Sequence, residues 1–406
     1  MVFLSGRLKN EDIICISTSD WEKPYGSRQR IMSGFAEDNR VLFVEAQSSC
    51  LHLIKNPKDQ LKRVLRWLKG ISRRGKIILY TPAPLLPFGN YFFTINRINQ
   101  KLLSFSIKRA AKKIGIKNPL LWIYSVNSVL LLGAFGEKFS IYYCIEDFFL
   151  EKPYFRRQRL MYALEEELLK KADMSIACTK SLWEDRRFRH PNIYFLRNGV
   201  DSDMFNSSPE TNPLPFDLAS VPQPRIGFMG TLDSRIDTEL LLFLAQSRKS
   251  WNFILIGSNL LSRARRAALR TLPNVLLLGF KPHRQLAGYI SAFSTCLIPY
   301  HTNKFSRSIF PIKTLEYLAS GKPVVSTNLP ELEELKSVVY LSRNKEEFLS
   351  NLEKSLEERG QETKRKNAAS GYAWQEKVDW LSKLIAENMA KKELPDDYQC
   401  AGKNLF

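Results

Sequence analysis

Short, almost continuous apolar runs alternate with longer amphipathic segments along this chain of 406 residues. The runs DIICIST at 12–18 and SIYYC at 140–144 are examples. A strand is apolar along its whole length when both of its faces are covered, as in a parallel sheet with helices on either side. The pattern therefore predicts an α/β fold built from doubly wound parallel sheets.

Two series of these segments predict two domains. In the first series we expect strands at 12–18, 40–46, 76–81, 120–125, 140–145, 174–179 and 193–197, and helices at 26–37, 96–114, 155–171 and 180–187. In the second series the predicted strands are RIGFM, NFILIG, NVLLLG, TCLIPY and PVVST. The expected division is a first Rossmann-like domain at 1–205, a proline-rich linker at 206–224, a second Rossmann-like domain at 225–371, and a crossover helix and tail at 372–406.

The cysteines and the N-terminal segment exclude several classes of protein. The six cysteines are scattered and form no C-x-x-C pair, so neither a zinc site nor a disulfide framework is expected. The N-terminal segment lacks a basic start followed by a long apolar stretch, so no signal peptide is expected. These features predict a cytoplasmic protein.

The segment FPIKTLEYLASGKPVVST, at 310–327, carries the most specific pattern. Pro311 suits a first helical turn, and Gly321 predicts the end of that helix. Lys313 and Glu316 are then three residues apart on one face, near the positive end of the helix. There a lysine can bind a diphosphate, and a carboxylate one turn on can accept the ribose hydroxyls. The alternative is a solvated Lys–Glu pair on an ordinary amphipathic helix.

This segment resembles the nucleotide-binding motif of the GT-B glycosyltransferases, most closely family 4, also called group 1, and its bacterial surface-polysaccharide and glycolipid relatives. Glu316 matches the second glutamate of that motif, and GKPVVST matches the sequence that follows it. The first glutamate would fall at Ser308 and is missing, which affects how the donor sugar is held. The resemblance implies the GT-B fold, in which two Rossmann-like domains face one another across a cleft and a C-terminal helix crosses back to the first domain.

The resemblance also implies a donor nucleotide-sugar site in the second domain. It extends over PRIGFMGTLDSRIDTELLLFLA, NVLLLGFKP and LIPYHTNKFSRS, at 224–245, 274–282 and 297–308. The candidate donor-binding residues are Gly230, Thr231, Arg235, Phe280, Lys281, Tyr300, Lys313 and Glu316. Asp237 is expected near this site or as a helix cap, and Tyr300 is expected either to border the nucleotide or to pack in the core.

Two carboxylates are candidate catalytic residues in the first domain. YYCIEDF, at 142–148, places Asp147 at the carboxyl end of a predicted strand, where an inverting relative carries its general base. The alternative is that the acidic pair caps a helix or forms salt bridges. Asp20 lies in the first loop, where similar enzymes contact acceptor or donor sugar. Family 4 membership implies retention of the anomeric configuration and a base at Asp147 implies inversion, so the outcome stays open.

Positive charge is concentrated in residues 55–117, which hold 16 basic residues and one acid, Asp59. An aromatic segment, PLLPFGNYFF, precedes a predicted basic amphipathic helix there. Such a pair is typical of a surface that docks on an anionic membrane. The candidate docking residues are Arg97, Lys101, Lys108, Arg109, Lys112 and Lys113. A solvated basic face is the alternative, and without a nucleic-acid-binding motif no nucleic acid partner is expected.

Together these observations predict an enzyme, a glycosyltransferase of hexosyltransferase type. It would move a sugar from a nucleotide diphosphate sugar to a lipid-linked or growing cell-surface glycan, on the inner face of the plasma membrane. No metal and no other cofactor are expected. The alternatives are a catalytically silent GT-B subunit at the membrane and a GT-B nucleotide-sugar epimerase. The sugar, the base, the linkage and the oligomeric state are not determined by the sequence.

Overall fold

The computed structural model describes residues 6–22, 26–51, 57–145, 158–190, 192–205 and 213–393. The chain forms two compact units. The first comprises residues 1–197 together with 375–406, and the second comprises residues 198–374. Each unit has its own sheet and is described separately.

The described residues of the first unit form an eight-stranded sheet. Its strands are β1 (Asp12–Ile16), β2 (Arg40–Val44), β3 (Ile71–Arg74), β4 (Ile77–Tyr80), β5 (Leu120–Ile123), β6 (Phe139–Cys144), β7 (Met174–Ala177) and β8 (Ile193–Phe195). They lie in the order β3-β4-β2-β1-β5-β6-β7-β8, and all pairs are parallel except β3 with β4. The central strands are buried along almost their whole length, as the apolar runs predicted.

Helices connect these strands. They are α1 (Ser27–Phe35), α2 (Pro57–Lys69), α3 (Phe93–Lys113), α4 (Gln158–Lys171) and α5 (Lys180–Arg187). The sequence pattern did not predict α2 or the edge strand β3. The residues of β3 are Ile-Ser-Arg-Arg, a polar edge strand without the apolar run on which strand prediction depends.

The described residues of the second unit form a six-stranded parallel sheet. Its strands are β9 (Arg225–Met229), β10 (Asn252–Ile256), β11 (Val275–Gly279), β12 (Thr295–Ile298), β13 (Val324–Thr327) and β14 (Tyr340–Ser342), in the order β11-β10-β9-β12-β13-β14. Its helices are α6 (Ser202–Phe205), α7 (Thr238–Ser247), α8 (Arg263–Arg270), α9 (Leu286–Ala292), α10 (Lys304–Arg307), α11 (Ile312–Ala319), α12 (Lys345–Glu357) and α13 (Glu362–Ser370). The sequence predicted every strand of this sheet except the three-residue edge strand β14.

The segment predicted as a linker, 206–224, is partly folded into the second unit. Residues 206–212 lie outside the described residues, but Leu218 and Val221 are buried in the core of this unit. The division between the units falls earlier, after Arg197, because Val200 and Phe205 also pack in that core. The prolines therefore indicate a segment that forms no strand or long helix. Its described part nevertheless packs against the second unit.

The last described helix, α14 (Trp374–Glu393), returns to the first unit, as the sequence predicted. The Ser382 hydroxyl accepts a hydrogen bond from the Leu8 backbone N–H at 2.8 Å. Farther along, Tyr194 Oη donates to Asn388 Oδ1 at 3.0 Å. Val378, Leu381 and Ile385 form the buried side of the helix. These contacts make α14 part of the first unit.

A buried ion pair ties two helices of the first unit to its sheet. Arg186 on α5 and Glu165 on α4 are each 1% exposed, and Nη2 lies 3.0 Å from Oε2. The phenol of Tyr142, on β6, donates to the same carboxylate at 2.8 Å. A buried charge is tolerated because its partner and its hydrogen bonds are all present.

We predict that Glu165→Gln destabilises the protein by about 3–5 kcal/mol, because Arg186 would stay buried without its counterion. The matched control is Glu167→Gln on the same helix, which breaks the more exposed pair with Lys171 and should cost less than about 1 kcal/mol. The measurement is the shift in the midpoint of urea unfolding. Equal shifts for the two variants would contradict the role of the buried pair.

Candidate functional site

The loops that follow β9, β10 and β11 are stacked on one another at the carboxyl edge of the second sheet. Gly230 N donates to Ile256 O, and Gly257 N donates to Gly279 O, both at 2.8 Å. A Cβ on Gly257 would lie only 2.0 Å from the carbonyl oxygen of Gly230. Both residues also have positive φ, +141° at Gly257 and +148° at Gly230, so glycine is required for this approach.

Lys313 lies directly on the backbone of Gly230. A Cβ placed on Gly230 would lie 1.9 Å from Lys313 Cε and 2.8 Å from Nζ. The ammonium group is therefore held above bare backbone at the end of β9. The carboxyl ends of parallel strands are where α/β proteins bind ligands, and here a positive charge meets a backbone without a side chain.

The helix that carries Lys313 is fixed against β9 by a buried tyrosine. Tyr317, on α11, accepts a hydrogen bond at Oη from the Met229 backbone N–H at 2.7 Å. Burial raises the pKa of Tyr317 well above its usual value, so the phenol stays neutral. Sequence reasoning missed this residue, because its partner is 88 positions away.

Glu316 lies three residues after Lys313 on the same helix, as predicted, and both residues are half-buried. Ser308, at the position of the family's first glutamate, is the C-cap of α10, and its hydroxyl donates to the Phe305 carbonyl at 2.9 Å. The helix α11 thus presents one lysine and one carboxylate at consecutive turns. The donor-binding roles of these two residues stay predictions.

Thr231 follows Gly230 in the first loop, and Arg235 lies a few residues farther along. The guanidinium of Arg235 is paired with Asp233, with Nη2 2.6 Å from Oδ2. Burial alone would raise the pKa of Asp233, but the hydrogen bonds and charge of Arg235, with a smaller effect of Lys313, lower it. The charge of Arg235 is therefore already balanced by a neighbouring carboxylate.

Asp237 caps α7, one of the two roles expected for it. Its Oδ1 accepts a hydrogen bond from the Leu240 backbone N–H at 3.0 Å. Such a cap satisfies one of the free N–H groups at a helix start.

Tyr300 packs in the core, which was the second of the two roles considered for it. It is 1% exposed, and its ring lies 6.3 Å from that of Phe228 in an edge-to-face contact. A ring enclosed in this way has no open face for a nucleotide base. The backbone N–H of the next residue, His301, donates to the Arg235 carbonyl at 2.8 Å.

Phe280 and Lys281 follow β11 and differ in their surroundings. Phe280 is 63% exposed, which leaves its ring open for a contact with a base. Lys281 pairs with Asp217, with Nζ 2.6 Å from Oδ2, and Tyr289 donates to the same carboxylate. Burial would raise the pKa of Asp217, but these hydrogen bonds lower it. Lys281 is thus held by a residue of the segment that had been predicted as a linker.

The two catalytic candidates of the first unit have different outcomes. Asp147 lies outside the described residues. Asp20 is buried in ion pairs with α2, since Arg63 Nη1 lies 2.5 Å from Oδ1 and Arg66 Nη2 lies 2.9 Å from Oδ2. Burial would raise the pKa of Asp20, but the charges and hydrogen bonds of the two arginines lower it. A carboxylate held in this way is a weak base, so we interpret Asp20 as an anchor for α2.

The candidate docking residues of α3 are all exposed: Arg97, Lys101, Lys108, Arg109, Lys112 and Lys113.

Among the described residues, no group of three or more His, Cys, Asp or Glu side chains is placed to bind a metal ion. The Asp-Ser-Asp triplet at 201–203 does not take part in such a group.

Comparison with known proteins identifies the second unit most directly. Residues 223–358 match the family described as "Glycosyl transferases group 1". The chain is also 26% identical over 235 residues to a "putative teichuronic acid biosynthesis glycosyltransferase TuaH" of Bacillus subtilis strain 168. That alignment covers 54% of this chain and 58% of the relative, so the chain spans little more than half of the relative's length.

Solved structures resemble the chain over most of its length. HepE of Anabaena, in complex with UDP and glucose, has a TM-score of 0.64 at 16% identity and covers 94% of this chain and 100% of its own. An α,α-trehalose-phosphate synthase (UDP-forming) of Burkholderia vietnamiensis has a TM-score of 0.66 at 10% identity, over 91% of this chain and 96% of its own. At these identities the likeness establishes the fold. Residues 223–358 thus match the group 1 glycosyltransferases, and the chain has the GT-B fold.

Proposed function

We propose that the protein transfers a sugar from a nucleotide diphosphate sugar, bound by the second unit, to a lipid-linked or growing cell-surface glycan. The observation that carries the proposal is the position of the Lys313 ammonium on the bare backbone of Gly230. The relative named for teichuronic acid biosynthesis and the neighbour in complex with UDP and glucose support a glycan product and a nucleotide-sugar donor.

In this proposal the second unit stabilises the leaving diphosphate. Lys313 supplies a positive charge, and the backbone at Gly230 and Thr231 approaches the phosphates without a side chain in the way. Glu316 accepts the hydroxyls of the ribose, and Phe280 borders the base. Arg235 and Lys281 act through Asp233 and Asp217, their carboxylate partners, as positioning residues. The proposal includes no metal ion and no other cofactor.

The serine at 308 favours one alternative function, a catalytically silent subunit that binds a nucleotide. Its hydroxyl caps α10 and brings no carboxylate to the place of the family's first glutamate. Nucleotide binding without sugar transfer would support this alternative. Transfer of a labelled sugar from any nucleotide sugar to a membrane extract would reject it.

We predict that one nucleoside diphosphate stabilises the full chain against heat, and that Lys313→Ala and Glu316→Ala lose this response. A ligand at 100 times its Kd adds about 2.7 kcal/mol, which a thermal-shift measurement with UDP, GDP, ADP or dTDP detects. The matched controls are Lys304→Ala, exposed on the neighbouring helix α10, and Glu346→Ala, exposed on α12. A response that survives in the Lys313 and Glu316 variants would reject the donor site.

For an inverting reaction we assign the general base to Asp147, because Asp20 is already neutralised by arginines. A base must accept a proton near neutral pH, and a low carboxyl pKa opposes this. In the folded chain the pKa of Asp20 lies below its unfolded value of about 3.9. Its ionised form therefore stabilises the fold above that pH, and the stabilisation is lost as the pH falls through the lower, folded pKa.

We accordingly predict that Asp20→Asn lowers the thermal midpoint at pH 7 and flattens the loss of stability between about pH 5 and pH 2. The measurement is a series of thermal unfolding curves across that range. Glu22→Gln, which breaks an exposed pair with Arg74, serves as the control and should follow the wild-type curve. A wild-type acid dependence in Asp20→Asn would show that the buried pairs do not contribute.

We propose further that α3 and the loop before it dock the first unit on an anionic membrane surface. Ile98, Leu102 and Phe105 are 43%, 54% and 69% exposed, on the side of the helix that also carries the basic residues. In the preceding loop Phe88 and Phe92 are 53% and 58% exposed. Exposed rings beside lysines and arginines suit the boundary between headgroups and acyl chains.

Two features of this surface support the proposal. Asn99 on α3 holds the loop through two hydrogen bonds with the backbone of Leu86, each 2.9 Å. A cavity of about 330 Å³ is lined by Arg97, Lys101, Phe105 and Lys108, and is therefore basic with one aromatic wall. In the described part of the chain no helix is both long and apolar enough to cross a membrane.

We predict that replacing Lys108, Arg109, Lys112 and Lys113 by Gln weakens binding to vesicles that contain phosphatidylglycerol. Each cation near such a surface contributes about 1 kcal/mol. The control removes the same charge from α8, by Arg263, Arg265, Arg266 and Arg270→Gln. Cosedimentation at low and high salt is the measurement. Equal losses in both variants, or binding of single-stranded RNA without binding of vesicles, would contradict the docking surface.

A further inference from the structure

Arg28, in the first turn of α1, is a half-buried cation without a counterion. In the described part of the chain it forms no hydrogen bond or ion pair, and its Nε is enclosed without an acceptor. Its guanidinium carbon lies 5.6 Å from the centre of the Tyr124 ring. A cation–π contact of this kind leaves the N–H groups of the guanidinium unused.

Among the described residues of the first unit, the two most buried arginines are paired. Arg63 is bound to Asp20, and Arg186 is bound to Glu165. Removing an arginine from water is costly unless a carboxylate and hydrogen bonds replace the solvent. Among the described residues Arg28 departs from this rule, which leaves its guanidinium able to bind an added anion.

Two buried phenols lie beside Arg28 and also lack an acceptor. Tyr124 and Tyr143 are 1% and 0% exposed, and neither hydroxyl has a hydrogen-bond partner among the residues that the structure describes. Their ring centres are 5.3 Å apart. The indole of Trp122 lies close to the Tyr124 hydroxyl, but an indole N–H can only donate, so the phenolic proton still has no acceptor.

These groups lie together at the carboxyl edge of the first sheet. Tyr124 directly follows β5, and the register of Ile123 with Tyr142 places Tyr124 beside Tyr143 on β6. The helix α1 covers this face, since Phe35 contacts Trp122 edge to face at 5.5 Å. Ligands of α/β proteins bind at this edge of the sheet.

The cluster consists of donors. The guanidinium donates only, and burial raises the pKa of both phenols well above the usual value, so each keeps its proton. The three groups are neighbours, because Arg28 lies over the Tyr124 ring and that ring is 5.3 Å from the ring of Tyr143. A set of donors with one positive charge and no acceptor is complementary to an oxyanion.

We propose that Arg28, Tyr124 and Tyr143 bind an oxyanion, a phosphate or a carboxylate, that is carried by the sugar acceptor. The acceptor part of this inference rests on the proposed glycosyltransferase function. Arg28 has no hydrogen bond to break, so its guanidinium can turn from the Tyr124 ring towards the anion. A lipid-linked acceptor would supply a phosphate, and an acidic glycan would supply the carboxylate of a uronic acid.

The test measures anion binding by the full chain without any nucleotide. Inorganic phosphate and sodium glucuronate are titrated at constant ionic strength, with sodium chloride as the reference, and thermal stability is recorded. Lys313→Ala is used as the background in all samples, since phosphate also suits the donor site. In this background we expect one or both anions to stabilise the chain. Phosphate alone indicates a lipid-linked acceptor, and glucuronate alone indicates an acidic glycan.

Added to this background, Arg28→Gln should raise the Kd of the stabilising anion at least about tenfold, because a charge-assisted hydrogen bond is lost. Arg28→Lys should retain part of the binding, and the double change Tyr124→Phe with Tyr143→Phe should weaken it without removing the charge. Arg73→Gln, an exposed arginine on β3, is the matched control and should leave the Kd unchanged. Circular dichroism checks that each variant is folded.

Equal anion binding with and without Arg28→Gln, or no response to either anion, would overturn the proposal. UDP binding, measured separately with Lys313 intact, distinguishes this failure from that of the proposed function. If UDP binds and the anions do not, the oxyanion site is rejected and the donor site stands. If Arg28-dependent anion binding is seen without any response to a nucleotide, the donor site is rejected and the oxyanion site stands.

Discussion

The second unit depends on the close approach of two backbones at Gly230 and Gly257. A Cβ on Gly230 would collide with the Lys313 side chain, and a Cβ on Gly257 would collide with the Gly230 carbonyl. Because the two turns touch, the ends of β9 and β10 form one continuous edge. Lys313 can then lie on that edge, with its aliphatic carbons against the backbone and its charge beyond it.

The carboxyl edge of the first sheet is organised by charge. Asp20 and Glu45 are matched there by Arg63 and Arg66, in a network that joins the first loop, β2 and α2. A network with balanced charges holds the loop and the helix against the sheet. Arg28 lies in the same unit, and among the described residues it has the Tyr124 ring beside it but no carboxylate partner.

The two units also differ in how much of each is matched by known proteins. The family match at 223–358 lies inside the second unit, and the likeness to solved structures extends over nearly the whole chain at low identity. Lys313 and Glu316 lie within the matched range. A shared fold does not by itself establish a function, so the role of the first unit is argued from its own side chains.

The sequence by itself determined the parallel strands of both sheets and the placement of Lys313 and Glu316 on one helix. These follow from local spacing, since an apolar run or a helical turn involves neighbouring residues. The polar strand β3, the short strand β14 and the helix α2 lacked such a pattern. Only the tertiary structure decided that Tyr300 is enclosed and that Lys281 is held by Asp217. It also decided that, among the described residues, Arg28 has phenols but no carboxylate beside it. Long side chains contact residues that are far away in the sequence, and the spacing of residues along the chain does not predict these contacts.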